Sequence, residues 1–143
     1  MRAVRIDKMT LAALEATLRH YQREEAITHI PIWQMIAATP ASLAARATKW
    51  ATHLQKQGIM ARTQRGESTI GGGSLPGETL PTTLLALDAS TLAFPLDELA
   101  QRLRLRKTPI ITRILRDTLL FDPRTVLEEQ DGEVIQGIVE ELY

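Results

Sequence analysis

The sequence predicts an α+β fold in which four strands are backed by helices on one side. Three observations carry this expectation. Apolar residues recur at helical spacing in four separate stretches. Four short runs rich in β-branched residues and leucine lie between them, bounded by Gly, Pro, Asp and Arg. The resulting order is helix, helix, strand, strand, helix, strand, strand, helix, which suits a sheet with a helical layer.

Residues 7 to 27 read as the first helix. Leu11, Leu14, Leu18 and Tyr21 fall on one face, and Ala12, Ala13 and Ala16 are strong helix formers. Asp7 suits the N-cap, where a carboxylate meets unpaired N–H groups and the positive end of the helix dipole. His29-Ile30-Pro31 is expected to break this helix. The short apolar segment Ile32-Trp33-Gln34-Met35-Ile36 follows.

Thr39-Pro40 is a strong start signal, with Thr as cap and Pro at the first helical position. This second helix runs through Leu43, Ala47, Trp50 and Leu54 and stops before Gly58. Residues 59 to 64 read as a strand. Residues 65 to 81 concentrate the chain's glycines and hold two prolines, so a loop is expected there. Thr82 to Leu87 is the second strand. Pro95 opens a helix with Leu96, Leu99 and Leu103 inward.

Ile110 to Leu115 and Thr118 to Phe121 are expected to pair around Arg116-Asp117, a turn without the glycine that a tight hairpin prefers. Val126 to Leu142 reads as the last helix. Val134, Ile138 and Leu142 share a face, and Gly132 and Gly137 weaken it.

Bulk properties narrow the function classes. A chain of 143 residues can bury one core. Seventeen basic and seventeen acidic side chains cancel, whereas a nucleic-acid or anionic-membrane surface usually carries a basic excess. There is no cysteine, which removes disulfides, thiol catalysis and thiolate zinc sites, and fits a reducing cytoplasm. No apolar run approaches the roughly 20 residues of a membrane span.

Several side chains are candidates for chemistry. Arg2 and Arg5 can present two guanidinium forks to one phosphate or carboxylate, or stand solvated at a chain end. Gly71, Gly72, Gly73 and Ser74 can place successive N–H groups around an anion, or form a plain turn. The cluster is no P-loop, because no Gly-Lys-Ser/Thr follows. Lys8, Lys49, Lys56 and Lys107 are the lysines, and none sits in a context expected to desolvate its amine for Schiff-base chemistry. His20, His29 and His53 lack a metal-ligand spacing and read as surface or boundary residues. Arg102, Arg104, Arg106 and Lys107 read as a solvated basic face.

Four stretches, in order, resemble one family. They are Arg2-Ala3-Val4-Arg5-Ile6-Asp7-Lys8-Met9-Thr10; Ile30-Pro31-Ile32 with Met35-Ile36; Gly71-Gly72-Gly73-Ser74-Leu75-Pro76-Gly77 with Leu80-Pro81; and Phe121-Asp122-Pro123-Arg124-Thr125-Val126-Leu127. Together they resemble the C-terminal portion of bacterial L-seryl-tRNA(Sec) selenium transferases, the selenocysteine synthases.

That resemblance implies the small C-terminal domain of an aspartate-aminotransferase-type (fold type I) enzyme. Its four-stranded sheet is mainly antiparallel, has helices on one face and is preceded by a long helix. Residues 1–38 are then an interdomain helix and connection, and residues 39–143 the small domain. The implied activity is pyridoxal-phosphate-dependent conversion of seryl-tRNA(Sec) to selenocysteinyl-tRNA(Sec), with selenophosphate as donor.

By the same resemblance, Arg2 and Arg5 hold the donor's anionic group and Gly71 to Ser74 lie near the cleft. The cofactor lysine is expected upstream of Met1, so this chain carries no catalytic residue and no metal, and alone is inactive. The implied partners are the missing N-terminal and large domains, further copies in a homo-oligomer, and seryl-tRNA(Sec) through the missing part. The implied setting is the cytoplasm, away from membranes. Two alternatives stand beside this: a related enzyme acting on a small phosphorylated amino sugar or amino acid, and a non-enzymatic dimerisation or interaction module built on the leucine face of the first helix.

Overall fold

The computed structural model describes residues 6–70 and 77–143. The chain divides into two compact units, Met1–Ala37 and Ala38–Tyr143.

In the first unit, α1 spans Lys8–Gln22. Asp7 caps it as its position predicts. Its Oδ1 accepts from the N–H groups of Met9 and Thr10, each at 2.9 Å, and Oδ2 accepts from Thr10 Oγ1 at 2.6 Å. The Thr10 hydroxyl, then the backbone N–H groups, hold the Asp7 carboxyl below its ordinary pKa. Leu11, Leu14, Leu18 and Tyr21 remain about half exposed.

The first helix ends earlier than expected, and for a different reason. Glu24 takes a left-handed backbone conformation (φ 59°), which turns the chain before Pro31 is reached. Two short helices follow, α2 at Ala26–His29 and α3 at Pro31–Ala37. Pro31 therefore opens a helix, because its missing N–H costs nothing in a first turn. Trp33 Nε1 donates to Tyr21 Oη at 2.7 Å and ties α3 back to α1.

In the second unit, α4 spans Pro40–Lys56 and is capped by Thr39, whose Oγ1 accepts from Ser42 N–H at 3.2 Å. Strand β1 (Ala61–Thr69) pairs antiparallel with β2 (Thr79–Asp88) from Ala61↔Leu87 to Thr69↔Thr79. The expected loop over 65–81 is thus too long at both ends, since residues 65–69 and 79–81 are paired strand. The misleading signal is Gly66. It lies inside β1, and a Cβ there would stand 2.5 Å from Leu84 Cδ1. Gly66 marks close packing across the pair rather than a turn.

Helix α5 is Leu96–Leu105, and β3 (Arg113–Leu115) pairs with β4 (Thr118–Phe121). All pairings are antiparallel and the sheet order is β1-β2-β4-β3. Arg116 and Asp117 have φ of 50° and 56°. They form the hairpin in left-handed geometry without glycine, helped by the tolerance of Asp for that region. Strand β3 is shorter than expected because Ile110 leaves the ladder. Its N–H donates to Leu103 O at 2.9 Å, and its side chain joins the core.

The last helix, α6, is Asp131–Leu142 and starts five residues later than expected. Single 3-10 turns at Pro123–Thr125 and Glu128–Gln130 precede it, and Val126 between them is extended.

Trp50 and Leu54 of α4, Leu99 and Leu103 of α5, and Val134 and Ile138 of α6 bury one sheet face, against Leu85, Leu87, Leu119 and Phe121. The opposite face buries a small strip of Leu84, Ala86 and Leu120. Residues 84–87 of β2 are thus buried on both faces, which explains its near-continuous apolar run. The basic run is not a uniformly solvated face. Arg106 donates to Glu141 at 2.7 Å and Glu140 at 2.5 Å, joining α5 to α6, and Arg102 lies 4.4 Å over the Phe94 ring. Among the described residues no helix is long and apolar enough to cross a membrane.

Candidate functional site

The sequence singles out Arg2 and Arg5, and the cluster Gly71, Gly72, Gly73 and Ser74. Both groups lie outside the described residues. What the structure does give is the frame around the glycine cluster. Strands β1 and β2 stay paired up to it, with Thr69 opposite Thr79. Just beyond, Ile70 N–H donates to Glu78 O at 3.3 Å, and Thr79 Oγ1 donates to Glu67 Oε2 at 3.2 Å.

Beneath this hairpin sits a polar hub centred on Asp122. Ser68 of β1 and Thr82 of β2 lie on the same sheet face, by the register Ser68↔Leu80 and Gly66↔Thr82. Both hydroxyls are buried. Asp122 Oδ2 accepts from Ser68 Oγ at 2.6 Å, and Oδ1 accepts from Thr82 Oγ1 at 2.9 Å and Arg124 N–H at 3.0 Å.

Arg124, 5% exposed, donates to Pro81 O at 2.7 Å and Ala38 O at 3.0 Å. Burial pulls its pKa below the ordinary guanidinium value, and the Asp122 charge partly opposes this. Asp122 and Arg124 belong to the Phe121–Leu127 stretch that carried part of the resemblance. The Asp-x-Arg pattern was visible in the sequence, but its partners 40 and 54 residues upstream were not.

A second buried group joins α4 to the first residue of α6 and to the segment before it. Arg46 donates through Nε to Asp131 Oδ2 at 3.2 Å and through Nη2 to Asp131 Oδ1. It also donates to Pro123 O at 2.8 Å and Val126 O at 2.9 Å, and it lies 5.7 Å from the centre of the Trp50 ring. No feature of residues 46 or 131 taken singly announces this pair.

A third group brings two of the histidines together, and all three are exposed or half-buried, as expected of surface or boundary residues. His20 and His29 stack with ring centroids 4.8 Å apart, beside Glu25, and His53 is exposed on α4. The four lysines are all exposed, so none offers the desolvated amine that a Schiff base requires.

Comparison with known proteins gives a consistent result. The family model described as L-seryl-tRNA selenium transferase matches residues 1–127. The L-seryl-tRNA(Sec) selenium transferase of Solidesulfovibrio magneticus is 48% identical over 133 residues, covering 90% of this chain and 28% of that protein. Its counterpart in Clostridium perfringens is 40% identical over 144 residues, covering 99% of this chain and 30% of the relative. Its counterpart in Geotalea daltonii is 40% identical over 146 residues, covering 97% and 31%. This chain thus spans less than a third of the length of these curated relatives. With the model matching most of its residues, the chain belongs to the L-seryl-tRNA selenium transferase family.

Proposed function

We propose that this chain is the C-terminal part of a pyridoxal-phosphate-dependent selenium transferase that converts seryl-tRNA(Sec) to selenocysteinyl-tRNA(Sec) with selenophosphate. The observation that carries this reading is near-complete coverage of the chain by relatives bearing that activity in their names, at 40–48% identity. The four-stranded antiparallel sheet with its helical layer fits the small domain of an aspartate-aminotransferase-type enzyme. On this reading residues 39–143 form that domain, and residues 1–38 form the connection from a large domain.

Each part then has a role that its chemistry suits. The cofactor is held by a lysine outside this chain, and it supplies the electron withdrawal that the exchange of hydroxyl for selenium needs. Arg2 and Arg5 hold the anionic group of the donor, since paired planar forks match phosphate oxygens. The hub of Asp122, Ser68 and Thr82 ties β1 and β2 to the segment after β4, close in sequence to the glycine cluster. By itself the chain neither holds the cofactor covalently nor turns over substrate.

The test uses the protein extended upstream to the length of its relatives. Incubated with seryl-tRNA(Sec) and selenophosphate, it is expected to form selenocysteinyl-tRNA. Changing Arg2 and Arg5 to alanine should raise the donor concentration needed, while the cofactor absorbance stays. Turnover of a phosphorylated amino sugar instead of the tRNA would overturn the substrate assignment. Full activity in the double variant would remove the anion role.

A further inference from the structure

We propose that His20, Glu25 and His29 form a binding site for a divalent first-row transition-metal ion such as Zn²⁺. One ligand atom from each residue lies within 4.8 Å of the others. The three come together because the chain reverses between α1 and α2. His20 lies in the last turn of α1, Glu24 turns the backbone with φ 59°, Glu25 precedes α2 and His29 ends it. Two backbone bonds pin the reversal, Glu25 N–H to His20 O at 2.9 Å and His29 N–H to Glu25 O at 3.1 Å.

The ring orientations support ligation. Thr28 Oγ1 donates to Glu25 O at 2.9 Å, which leaves its lone pairs facing His29 Nδ1 at 2.8 Å. Nδ1 also lies 3.2 Å from Glu25 O. These contacts anchor the ring through Nδ1, and Nε2 makes no hydrogen bond among the described residues. This is how an outer hydrogen bond prepares an imidazole for a metal. The His20 ring is stacked on that of His29 with a 12° tilt, and its Nδ1 lies 3.4 Å from Glu25 Oε2.

Two stacked imidazoles beside one carboxylate are a mixed nitrogen and oxygen donor set. It favours Zn²⁺, Ni²⁺ or Cu²⁺ over Mg²⁺ or Ca²⁺, and water completes the coordination. Tetrahedral ligation at about 2.1 Å sets ligand atoms roughly 3.4 Å apart. All three side chains are at least partly exposed and can rotate to close that gap. The nearby Arg19 is already paired with Glu15 at 2.7 Å.

The test is zinc titration of the chain as it stands, by calorimetry, with imidazole resonances followed by NMR. One saturable zinc per chain is expected, with the His20 and His29 ring signals shifting and those of His53 unmoved. His20→Ala and His29→Ala should each weaken binding by roughly tenfold or more, Glu25→Gln should weaken it too, and His53→Ala should not. Absence of saturable binding, equal binding by the His20→Ala/His29→Ala double variant, or shifts confined to His53 would each overturn the proposal. The resonance shifts in the native chain decide the matter even where a variant misfolds.

Discussion

Ser68 and Asp122, 54 residues apart, are joined by a hydrogen bond of 2.6 Å that fastens β1 to the segment after β4 across the width of β2. Thr82 completes the link from β2 at 2.9 Å. One carboxylate thus satisfies two buried hydroxyls and one backbone N–H.

Removing that carboxylate should therefore cost more than one hydrogen bond. Asp122→Ala leaves the Ser68 and Thr82 hydroxyls buried without their acceptor. We expect a loss of about 2–3 kcal/mol, and roughly half of that for Asp122→Asn, which keeps one acceptor oxygen. Urea unfolding should show the loss as a lower midpoint at unchanged slope. A midpoint equal to that of the native chain would mean that water replaces the carboxylate without penalty.

The Arg46–Asp131 pair is suited to a double-mutant cycle. Both side chains are largely buried, at 15% and 10% exposure, so truncating either one strands a charge. Each single change to alanine should cost about 3–5 kcal/mol. Replacing both by apolar residues should recover only part of this. Arg46 also serves the carbonyls of Pro123 and Val126, and those lose their donor in the double variant. Strict additivity of the two single losses would show that the pair does not act as a unit.

How much of this was legible in the sequence follows from the range of each signal. Caps and apolar periodicity are local, so Asp7, Thr39-Pro40 and the inward leucines of α4 and α5 were readable. Signals with two meanings failed. Gly66 looked like a loop but makes room for Leu84, and Pro31 looked like a stop but starts a helix. The α1 terminus failed because Glu24 takes a left-handed turn that nothing in its type announces. Long-range pairs were invisible in principle, since Arg46 and Asp131 are 85 residues apart. The motif at 121–127 is a local pattern, whereas the residues that explain it, Ser68, Thr82 and Pro81, lie 40 to 54 residues upstream of their partners.

Stability should also carry a small acid-dependent step from Asp88. Arg62 holds its carboxylate through two bonds of 2.9 and 2.8 Å, and the Thr118 hydroxyl adds a third at 2.9 Å. Arg62 first, then Thr118, place the Asp88 pKa below its ordinary value of 3.8. A depressed folded-state pKa adds stability that is present above the unfolded value and is lost as pH falls through the folded one. The native chain should therefore exceed Asp88→Asn in stability at neutral pH, by under about 1 kcal/mol because the pair is exposed. The gap should close in acid. A gap that persists well below the carboxylate range would assign the effect to packing rather than charge.

The two glycines of α6 should respond in opposite directions. A Cβ at Gly132 would meet nothing within 4 Å, so Gly132→Ala should gain up to about 1 kcal/mol from helix propensity alone. A Cβ at Gly137 would stand 2.5 Å from Ile110 Cδ1 and 3.1 Å from Arg106 Nε. Neither neighbour yields easily, because Ile110 is packed in the core and Arg106 is tied to Glu140 and Glu141. Overpacking of about 1–3 kcal/mol should outweigh the propensity gain and leave Gly137→Ala less stable than the native chain. Thermal melting should rank Gly132→Ala above the native chain and Gly137→Ala below it. Equal melting temperatures for the two variants would show that Ile110 moves aside freely, and that the α5–α6 contact tolerates a methyl group where the packing leaves no room for one.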